Sequence, residues 1–408
     1  MNKKLSLSSL AVLFAVMAMA SPVEPVASFV FGSNPTNATT TNLYSAEKGF
    51  GFEPGAALKT GGTYVTSDKP FSFSVKLPED NYNVTLMLGA NDGSSTNTVK
   101  CEARRLLWED ARSEAGSHVT RMFTVNIRTP RIGADATVKL KAREKENEMI
   151  SWDDKLTLEF LGARPCLHSI IITRAPESPT VFITGDSTVC DQPREPWNSW
   201  GQMLPRFFGP GIAVANYAQS GESIKSSLGA KRFDKVFSEM KTNDWLFVQF
   251  GHNDMKDKAT NALAVYRTNL KKIVAQTRAK GATPVLVTSM ERKAGVERDT
   301  LTGYPQTVRD VAKEDGVALI DLNATSKILY RALGTNLDKA FQDGTHHNNY
   351  GSYELARCVV EGIRANVPAL AKFIANDVSV FDPAHPDDPD KFSMAASATV
   401  DLKKPDGN

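Results

Sequence analysis

The sequence predicts an α/β protein in which a three-layer domain built on a parallel sheet follows an all-β sandwich. Two patterns along the 408 residues carry this prediction. From Phe29 to about Pro176, apolar and polar residues alternate at a period close to two, which is typical of short strands in an antiparallel sandwich. After Ala175-Pro-Glu-Ser-Pro179, apolar strands alternate with helical segments. That alternation indicates a parallel sheet with helices on both faces.

The first twenty residues differ from the rest of the chain. Two lysines precede an apolar run from Leu10 to Met19, and Ala18-Met19-Ala20 has the small-x-small pattern of a cleavage site. This combination predicts a signal peptide over residues 1–20, which is too short to serve as a membrane anchor. No other stretch of the sequence approaches the length of a membrane span. We therefore expect an exported protein, secreted or periplasmic.

Overall charge and cysteine content limit the classes of partner and metal site that the chain could have. The chain has 48 basic and 46 acidic residues, a balance that favours neither a nucleic-acid partner nor an anionic membrane surface. The cysteines lack metal-ligand spacing, so they form one or two disulfides or act as small buried apolar residues. The spacing of the cysteines does not determine which of them would pair. These residues are Cys101, Cys166, Cys190 and Cys358.

A first domain over residues 28–176 is predicted as the sandwich. Its clearest alternating stretches are residues 71–77, 82–88 and 156–160. The charged run Lys141–Glu148 is interpreted as a loop or a solvated face. Trp108 and Trp152 are interpreted as core or edge packing, with stacking on a sugar ring as the alternative. We expect this domain to fold as a separate unit, because its alternating strands can close their own core.

A second domain over residues 179–368 is predicted as the three-layer unit. Its predicted strands are Val181–Thr184, Ile212–Tyr217, Trp245–Phe250, Pro284–Thr288 and Val317–Leu322. Its predicted helices lie near Trp200–Phe208, Thr260–Lys280, Tyr304–Asp315 and Tyr350–Val367. Over residues 369–408 the alternation ends, and we predict a C-terminal extension that either packs along the surface or stays mobile.

Chemically reactive side chains follow several of the predicted strands. Ligands bind beyond the carboxyl ends of strands in open α/β sheets, so the loops at these ends are expected to meet. Gly-Asp-Ser alone is also ordinary turn chemistry, which makes the combination of loops the informative signal. The loops are Gly185-Asp-Ser187, Ser220-Gly-Glu222, Gly251-His-Asn-Asp254 and Asp343-Gly-Thr-His346.

Together these loops supply each group that acyl transfer needs. Ser187 is the predicted nucleophile, His346 the base that takes its proton, and Asp343 the carboxylate that orients the imidazole. The predicted donors to the oxyanion are the backbone N–H groups of Ser187 and Gly221 and the side-chain amide of Asn253. Serine acyl chemistry needs no cofactor, and the histidines and cysteines show no metal-ligand spacing.

These motifs resemble the ordered blocks of the SGNH, or GDSL-type, hydrolase superfamily. Thr184-Gly-Asp-Ser-Thr188, with Trp200-Gly201 and Gln249-Phe-Gly-His-Asn-Asp254, is similar in particular to rhamnogalacturonan acetylesterases. The resemblance covers roughly Pro179 to Val367 and implies a flavodoxin-like three-layer fold together with the catalytic and oxyanion roles given above. For the first domain, the resemblance is to the galactose-binding-like sandwiches that accompany bacterial pectin-degrading esterases.

Further residues near the strand ends are candidates for contact with the sugar. These candidates are Trp197, Trp200, His252, Glu291 and Arg292. The loop Glu291–Lys293 could meet the carboxylate of a uronic acid, with a solvated surface loop as the alternative. His347, adjacent to the predicted base, is interpreted as an ordinary polar or substrate-edge residue because it lacks an orienting carboxylate.

The predicted function is that of a secreted carbohydrate esterase that removes O-acetyl groups from a pectic polysaccharide, rhamnogalacturonan. The acetylated polysaccharide is thus the expected partner. One alternative applies the same chemistry to other acetylated glycans or to small lipid or aryl esters, which would need an apolar acyl groove. A second alternative is a carbohydrate-binding protein without activity, which is disfavoured because every catalytic role has a candidate residue.

Overall fold

The computed structural model describes residues 24–32 and 42–406. The signal peptide predicted over residues 1–20 lies outside the described residues. The described chain contains an antiparallel β-rich region followed by an α/β region with a parallel sheet. The predicted fold class is therefore confirmed. The domain boundaries at residues 28–176 and 179–368 stay a prediction.

Two antiparallel sheets form the β-rich region. One sheet has the order β3-β4-β13-β6-β9 with β1 beside β13, the other has the order β2-β5-β12-β7-β8, and β10 and β11 form a small separate ribbon. Apolar residues of both sheets share one core, as in a sandwich. The strands are β1 (Ala27–Val30), β2 (Phe50–Phe52), β3 (Leu58–Gly61), β4 (Tyr64–Ser67), β5 (Phe71–Lys76), β6 (Asp80–Ala90), β7 (Ser95–Cys101), β8 (Arg105–Ser113), β9 (Ser117–Ile127), β10 (Arg131–Ile132), β11 (Ala136–Thr137), β12 (Lys155–Arg164) and β13 (Cys166–Arg174).

The α/β region is built on a five-stranded parallel sheet in the order β15-β14-β16-β17-β18. In chain order this is 2-1-3-4-5, the flavodoxin-like arrangement. Every residue of β14 and β16 is buried, which explains why these strands appear in the sequence as continuous apolar runs. The strands are β14 (Thr180–Gly185), β15 (Ala213–Asn216), β16 (Trp245–Gln249), β17 (Thr283–Val287) and β18 (Ala318–Ile320).

Helices cover both faces of the parallel sheet. Apolar residues of α2, α7 and α8 pack on one face, and those of α3, α4, α5 and α6 pack on the other. The helices are α1 (Ala142–Asn147), α2 (Trp200–Met203), α3 (Ile224–Gly229), α4 (Arg232–Glu239), α5 (Ala262–Ala279), α6 (Tyr304–Glu314), α7 (Leu322–Leu333), α8 (Asn349–Asn366) and α9 (Pro368–Ala371).

Five of the described helices were not predicted from the sequence: α1, α3, α4, α7 and the short α9. The charged run Lys141–Glu148 forms α1 rather than a loop, and Glu144 faces inward, where it is paired with the buried Arg232 at 2.5 Å. Helix α7 was missed because Asp321, which caps it by accepting from the N–H of Ala324, lay inside the predicted strand. In α1 a charged residue is buried against a partner distant in sequence, and at α7 the residue that caps the helix was included in the preceding strand.

The C-terminal extension packs against the rest of the protein, which is one of the two alternatives predicted for it. We call residues 397–406 the C-terminal strap. Its backbone pairs with that of Glu195, since the N–H of Glu195 donates to the carbonyl of Thr399 at 2.9 Å and the N–H of Asp401 donates to the carbonyl of Glu195 at 2.8 Å. The strap therefore lies along the loop that follows the predicted nucleophile.

Buried ion pairs join the β-rich region to this same loop. Arg105, at the start of β8, contacts Asp191 at 2.6 Å, and Arg104 contacts Glu195 at 2.6 Å. Lys100 on β7 lies 3.3 Å from Glu195. All of these side chains are buried, so their charges depend on one another for compensation. The β-rich region is thus joined to the α/β region through buried charges, and its folding as a separate unit stays a prediction.

We predict that Arg105→Leu lowers the free energy of unfolding by about 3–5 kcal/mol, because it leaves the Asp191 carboxylate buried without its cation. Urea denaturation followed by circular dichroism measures this change. The control is Arg174→Leu, which breaks an exposed pair with Asp80 and should cost less than about 1 kcal/mol. Equal, small losses for both variants would contradict a structural role for the buried pair.

Candidate active site

The candidate site lies at the carboxyl edge of the parallel sheet, where the strand order reverses. The chain leaves β14 for β15 on one side and then returns to β16 on the other side of β14. Ser187 follows β14 by two residues, and Gly251 and Asn253 follow β16. A crevice at such a reversal is where open α/β sheets bind ligands. The topology therefore brings the first three predicted loops to one edge.

Ser187, His346 and Asp343 form a continuous chain of hydrogen bonds. The Ser187 hydroxyl lies 2.8 Å from Nε2 of His346, and Nδ1 of His346 lies 2.8 Å from Oδ2 of Asp343. With the imidazole protonated on Nδ1, Nε2 can accept the hydroxyl proton, which is the arrangement that activates a serine for attack. The structure thus brings these three predicted residues into the geometry that their predicted roles require.

The turn from Asp343 to His346 holds the orienting carboxylate in place. Oδ1 of Asp343 accepts from the backbone N–H groups of Thr345 at 2.6 Å and His346 at 2.7 Å. Burial alone would raise the pKa of Asp343, but the His346 ring and these N–H groups outweigh it and hold the pKa well below its usual value. Asp343 is therefore ionised throughout the neutral range, as a group that stabilises an imidazolium must be.

A second carboxylate shapes the turn that carries Ser187. Oδ1 of Asp186 accepts from the N–H of Thr188 at 3.0 Å and from its hydroxyl at 2.7 Å. Gln192 adds a donor to the carbonyl of Ser187 at 2.8 Å. Burial opposes ionisation of Asp186, yet His252 at 3.4 Å and the Thr188 donors hold its pKa below the usual value. This carboxylate therefore orders the turn while the Ser187 hydroxyl faces His346.

Donors for a developing oxyanion are present beside Ser187. Within residues 42–406, the backbone N–H groups of Ser187 and Gly221 have no hydrogen-bond acceptor. Gly221 has φ +75°, which a side chain would strain, so glycine is needed to present its N–H group in this way. The side-chain amide of Asn253 uses one hydrogen on the carbonyl of Glu222 at 3.0 Å, which leaves its second hydrogen for an acceptor. The oxyanion role of these three donors stays a prediction.

Asp254 and His252 support the loop after β16. Oδ1 of Asp254 accepts from the N–H of Ile224 at 2.9 Å, which ties the loop to the start of α3. Its Oδ2 is buried without a partner among the described residues, and burial raises the pKa of Asp254 to about 7. His252 is also buried, next to Asp186, so it acts on the nucleophile turn rather than on an exposed substrate surface.

Some of the residues predicted to contact the sugar lie beside the triad, whereas others are buried and cannot reach a substrate. The Trp197 ring packs edge-on against His346, with centroids 5.7 Å apart. Trp200, by contrast, is 0% exposed and its indole N–H donates to Gln249 at 2.9 Å. Glu291 is 1% exposed and accepts from the N–H groups of Arg292 and Thr300. A direct sugar contact by Trp200 or Glu291 is therefore wrong, because neither offers a free surface.

Arg292 is half-buried, and its guanidinium donates to the Thr345 hydroxyl at 3.2 Å. It thus stabilises the turn between Asp343 and His346, and its contact with the substrate stays a prediction.

His347 is buried, with Nε2 2.9 Å from the Tyr330 hydroxyl, and burial is the main reason that its pKa falls to about 3. Its ring is neutral and points away from Ser187 toward Tyr330 and Phe341.

Several residues at the site were missed by the sequence analysis. Lys141, from the charged run, donates to the carbonyl of Ser220 at 2.6 Å, and Lys404 of the C-terminal strap lies 3.5 Å from Oδ2 of Asp343. Neither lysine follows a strand of the parallel sheet, so the strand-end criterion could not have selected them. Their segments were recognisable only as charged or irregular sequence.

The cysteines carry no disulfide. All four are free and buried, so the alternative in which they act as small apolar residues holds. Across residues 24–32 and 42–406, no His, Cys, Asp and Glu side chains gather in groups of three or more that could hold a metal ion. In the same part of the chain, no helix has both the length and the apolar content that a bilayer crossing requires.

Comparison with known proteins identifies similarity in the same region of the chain that contains the candidate site. Residues 183–353 match the GDSL-like lipase/acylhydrolase family. The chain is 35% identical over 205 residues to rhamnogalacturonan acetylesterase RhgT of Bacillus subtilis (strain 168), a match that covers 45% of this chain and 88% of that protein. It is 25% identical over 356 residues to the uncharacterized esterase YxiM of the same organism, over 79% of this chain and 85% of YxiM.

The crystal structure of YxiM from Bacillus subtilis is also similar. It has a TM-score of 0.45 and 23% sequence identity, and the match covers 83% of this chain and 98% of that chain.

We predict that Ser187→Ala and His346→Ala each lower kcat by about 10³-fold or more, because members of such a triad act as a unit. His347→Ala should keep most of the turnover of the folded protein, since its ring contacts Tyr330 and not Ser187. Hydrolysis of 4-nitrophenyl acetate, normalised to folded protein, measures all three variants. An active His346→Ala together with an inactive His347→Ala would show that the base is misassigned.

We predict that the free energy of unfolding of the native protein falls as the pH rises from about 4 to 7. The substitution Asp254→Asn should make this fall smaller. The pKa of this carboxyl is raised to about 7 by burial, so the folded state keeps a proton that the unfolded chain loses near pH 4. Stability is therefore lost as the pH rises toward 7, by an amount on the order of 3 kcal/mol. Urea midpoints at pH 5 and pH 8 test this, with the exposed Asp234→Asn as the control. An unchanged pH dependence in Asp254→Asn would contradict it.

Proposed function

Because this chain belongs to the GDSL-like lipase/acylhydrolase family and is a serine ester hydrolase of the carbohydrate acetylesterase type, we propose that it removes O-acetyl groups from rhamnogalacturonan. The observation that carries the chemistry is the relay from Asp343 through His346 to Ser187, with 2.8 Å at each ring nitrogen. The pectic substrate is supported by the identity of 35% to RhgT, which is named a rhamnogalacturonan acetylesterase.

The first half of the proposed reaction transfers the acetyl group to the enzyme. Ser187 Oγ attacks the acetyl carbonyl carbon while His346 Nε2 takes the hydroxyl proton. Negative charge forms on the carbonyl oxygen and is met by the N–H groups of Ser187 and Gly221 and by the amide of Asn253. The tetrahedral intermediate then expels the sugar oxygen, which receives the proton from His346. The products of this half are the deacetylated sugar and an acetyl ester on Ser187.

The second half regenerates the serine. A water molecule gives a proton to His346 Nε2 and attacks the acetyl ester, and the same N–H donors stabilise the second oxyanion. Collapse returns the proton to Ser187 Oγ and releases acetate. Asp343 keeps the imidazole in the required tautomer and stabilises the imidazolium in both halves without being protonated itself.

Polar surroundings of the triad favour a sugar ester over a long-chain acyl ester. Gln192 donates to the carbonyl of Ser187, Lys404 lies 3.5 Å from Asp343, and Lys141 donates to the carbonyl of Ser220, so polar or charged side chains surround this side of the triad. A lipid chain would need an apolar groove beside the nucleophile. We also propose that the protein is exported, on the strength of the basic and apolar pattern of residues 1–20.

The test is acetate release from acetylated rhamnogalacturonan and from acetylated xylan at matched acetyl concentration. We predict a kcat/KM about tenfold or more higher for rhamnogalacturonan, since several polar contacts on the sugar side must supply the discrimination. Ser187→Ala measured in parallel removes any background from chemical hydrolysis. Equal rates on both polymers, or a preference for xylan, would leave an acetylesterase with a different substrate.

A further inference from the structure

The C-terminal strap forms one wall of a cavity beside the triad. The indole N–H of Trp197 donates to the carbonyl of Asp401 at 2.8 Å, which fixes the strap next to the ring that packs on His346. Farther along, Lys404 lies 3.5 Å from Oδ2 of Asp343. At Gly221, a Cβ atom would lie only 3.3 Å from the Cβ of Asp406. The strap therefore extends from the base to the proposed oxyanion donors.

The cavity has a volume of about 120 Å³. Since one water molecule occupies about 30 Å³ in the liquid, this space admits a carboxylate and the part of a sugar that bears it. Its wall carries more positive than negative side chains. The charged residues of the wall are Arg143, Arg194, Asp401, Lys403, Lys404 and Asp406.

The two arginines have partners that hold them in position. Arg143 contacts Glu148 at 2.6 Å and Asp406 at 3.7 Å, and Arg194 contacts Asn147 at 2.7 Å and Asp401 at 3.3 Å. These contacts involve only part of each guanidinium, which has five N–H donors. An ordered arginine with free donors is well suited to a second, planar acceptor such as a carboxylate.

The two lysines differ from each other in their contacts, since Lys404 lies 3.5 Å from Oδ2 of Asp343. Both are exposed, and the side chain of Lys403 has no ion pair or hydrogen bond within the described residues. The strap is fastened through its backbone at Glu195 and through Trp197. Lys403 therefore contributes a positive charge to the cavity mouth that no ion pair within the described residues neutralises.

We propose that this cavity is the subsite that binds the carboxylate of a uronic acid residue of the acetylated polysaccharide. The proposal rests on the proposed function and deepens it, because it assigns the recognition of an acidic polysaccharide to particular residues. It also replaces the loop Glu291–Lys293 in that role, since Glu291 is buried and Arg292 braces the triad turn. A carboxylate bound here would lie next to Trp197, whose ring contacts the base.

The test uses the full chain with the double substitution Lys403→Gln and Lys404→Gln. The substrates are acetylated rhamnogalacturonan oligosaccharide with free carboxylates and the same oligosaccharide with its carboxyls methyl-esterified. In the native protein, kcat/KM is expected to be higher for the free carboxylate, and the ratio between the two substrates should fall as salt is added. In the double variant this ratio should drop about five- to tenfold, mainly through KM.

The matched control is Lys272→Gln with Lys280→Gln. These lysines are exposed on or just after α5, and Lys280 precedes β17 at the opposite edge of the sheet from the site. The control removes the same charge from the protein and should keep the native substrate ratio, so a loss in both double variants would indicate a general charge effect and overturn the subsite.

Two further outcomes separate the subsite from the proposed function. A native protein that prefers the free carboxylate, with an unchanged ratio in the Lys403→Gln, Lys404→Gln variant, overturns the subsite and leaves rhamnogalacturonan as the substrate. A native protein without any preference for the free carboxylate overturns the subsite, and the comparison of rhamnogalacturonan with xylan then decides the proposed function on its own.

Discussion

The compensation of two buried carboxylates, Asp191 and Glu195, is the constraint on which the surroundings of the nucleophile depend. Both lie in the loop after Ser187, and both face cations that come from the β-rich region. A buried charge without a partner is strongly destabilising, so those cations stabilise the ordered loop. Arg104 extends this effect by donating to the carbonyls of Gln192 and Trp197 at 3.0 Å. The loop conformation that holds Trp197 against the base is thus set from outside the parallel sheet.

Within the sheet, short-range contacts complete the site. Asp186 and Asp343 each accept backbone N–H groups two or three residues away, so each carboxylate stabilises its own turn as well as serving the chemistry nearby. Asn348 then caps α8 by accepting from the N–H of Gly351, which fixes the chain two residues after His346. The triad geometry therefore rests on local turns at its two ends and on strand order between them.

The parts of the protein that could be predicted from the sequence are those set by local pattern. The five parallel strands and the Asp343-x-x-His346 spacing need only neighbouring residues to be recognised. Trp200 was misjudged because aromatic rings suit both sugar stacking and core packing, and only the position of Gln249 shows which one applies. Lys404 could not be placed at all, because its contact with Asp343 spans 61 residues of sequence (404 − 343) and leaves no periodic signal.

The charge coupling between the two regions has an evolutionary consequence. A β-rich segment joined only through apolar surface could be lost or exchanged by recombination, with exposed hydrophobic area as the immediate cost. Here such an exchange would also leave buried carboxylates without the cations that Arg104, Arg105 and Lys100 supply. For the same reason, a substitution of one partner in such a pair would be destabilising unless a compensating substitution of the other partner arose in a distant stretch of the gene. Loss of the β-rich region would therefore destabilise the loop after Ser187, whether or not that region contacts a sugar.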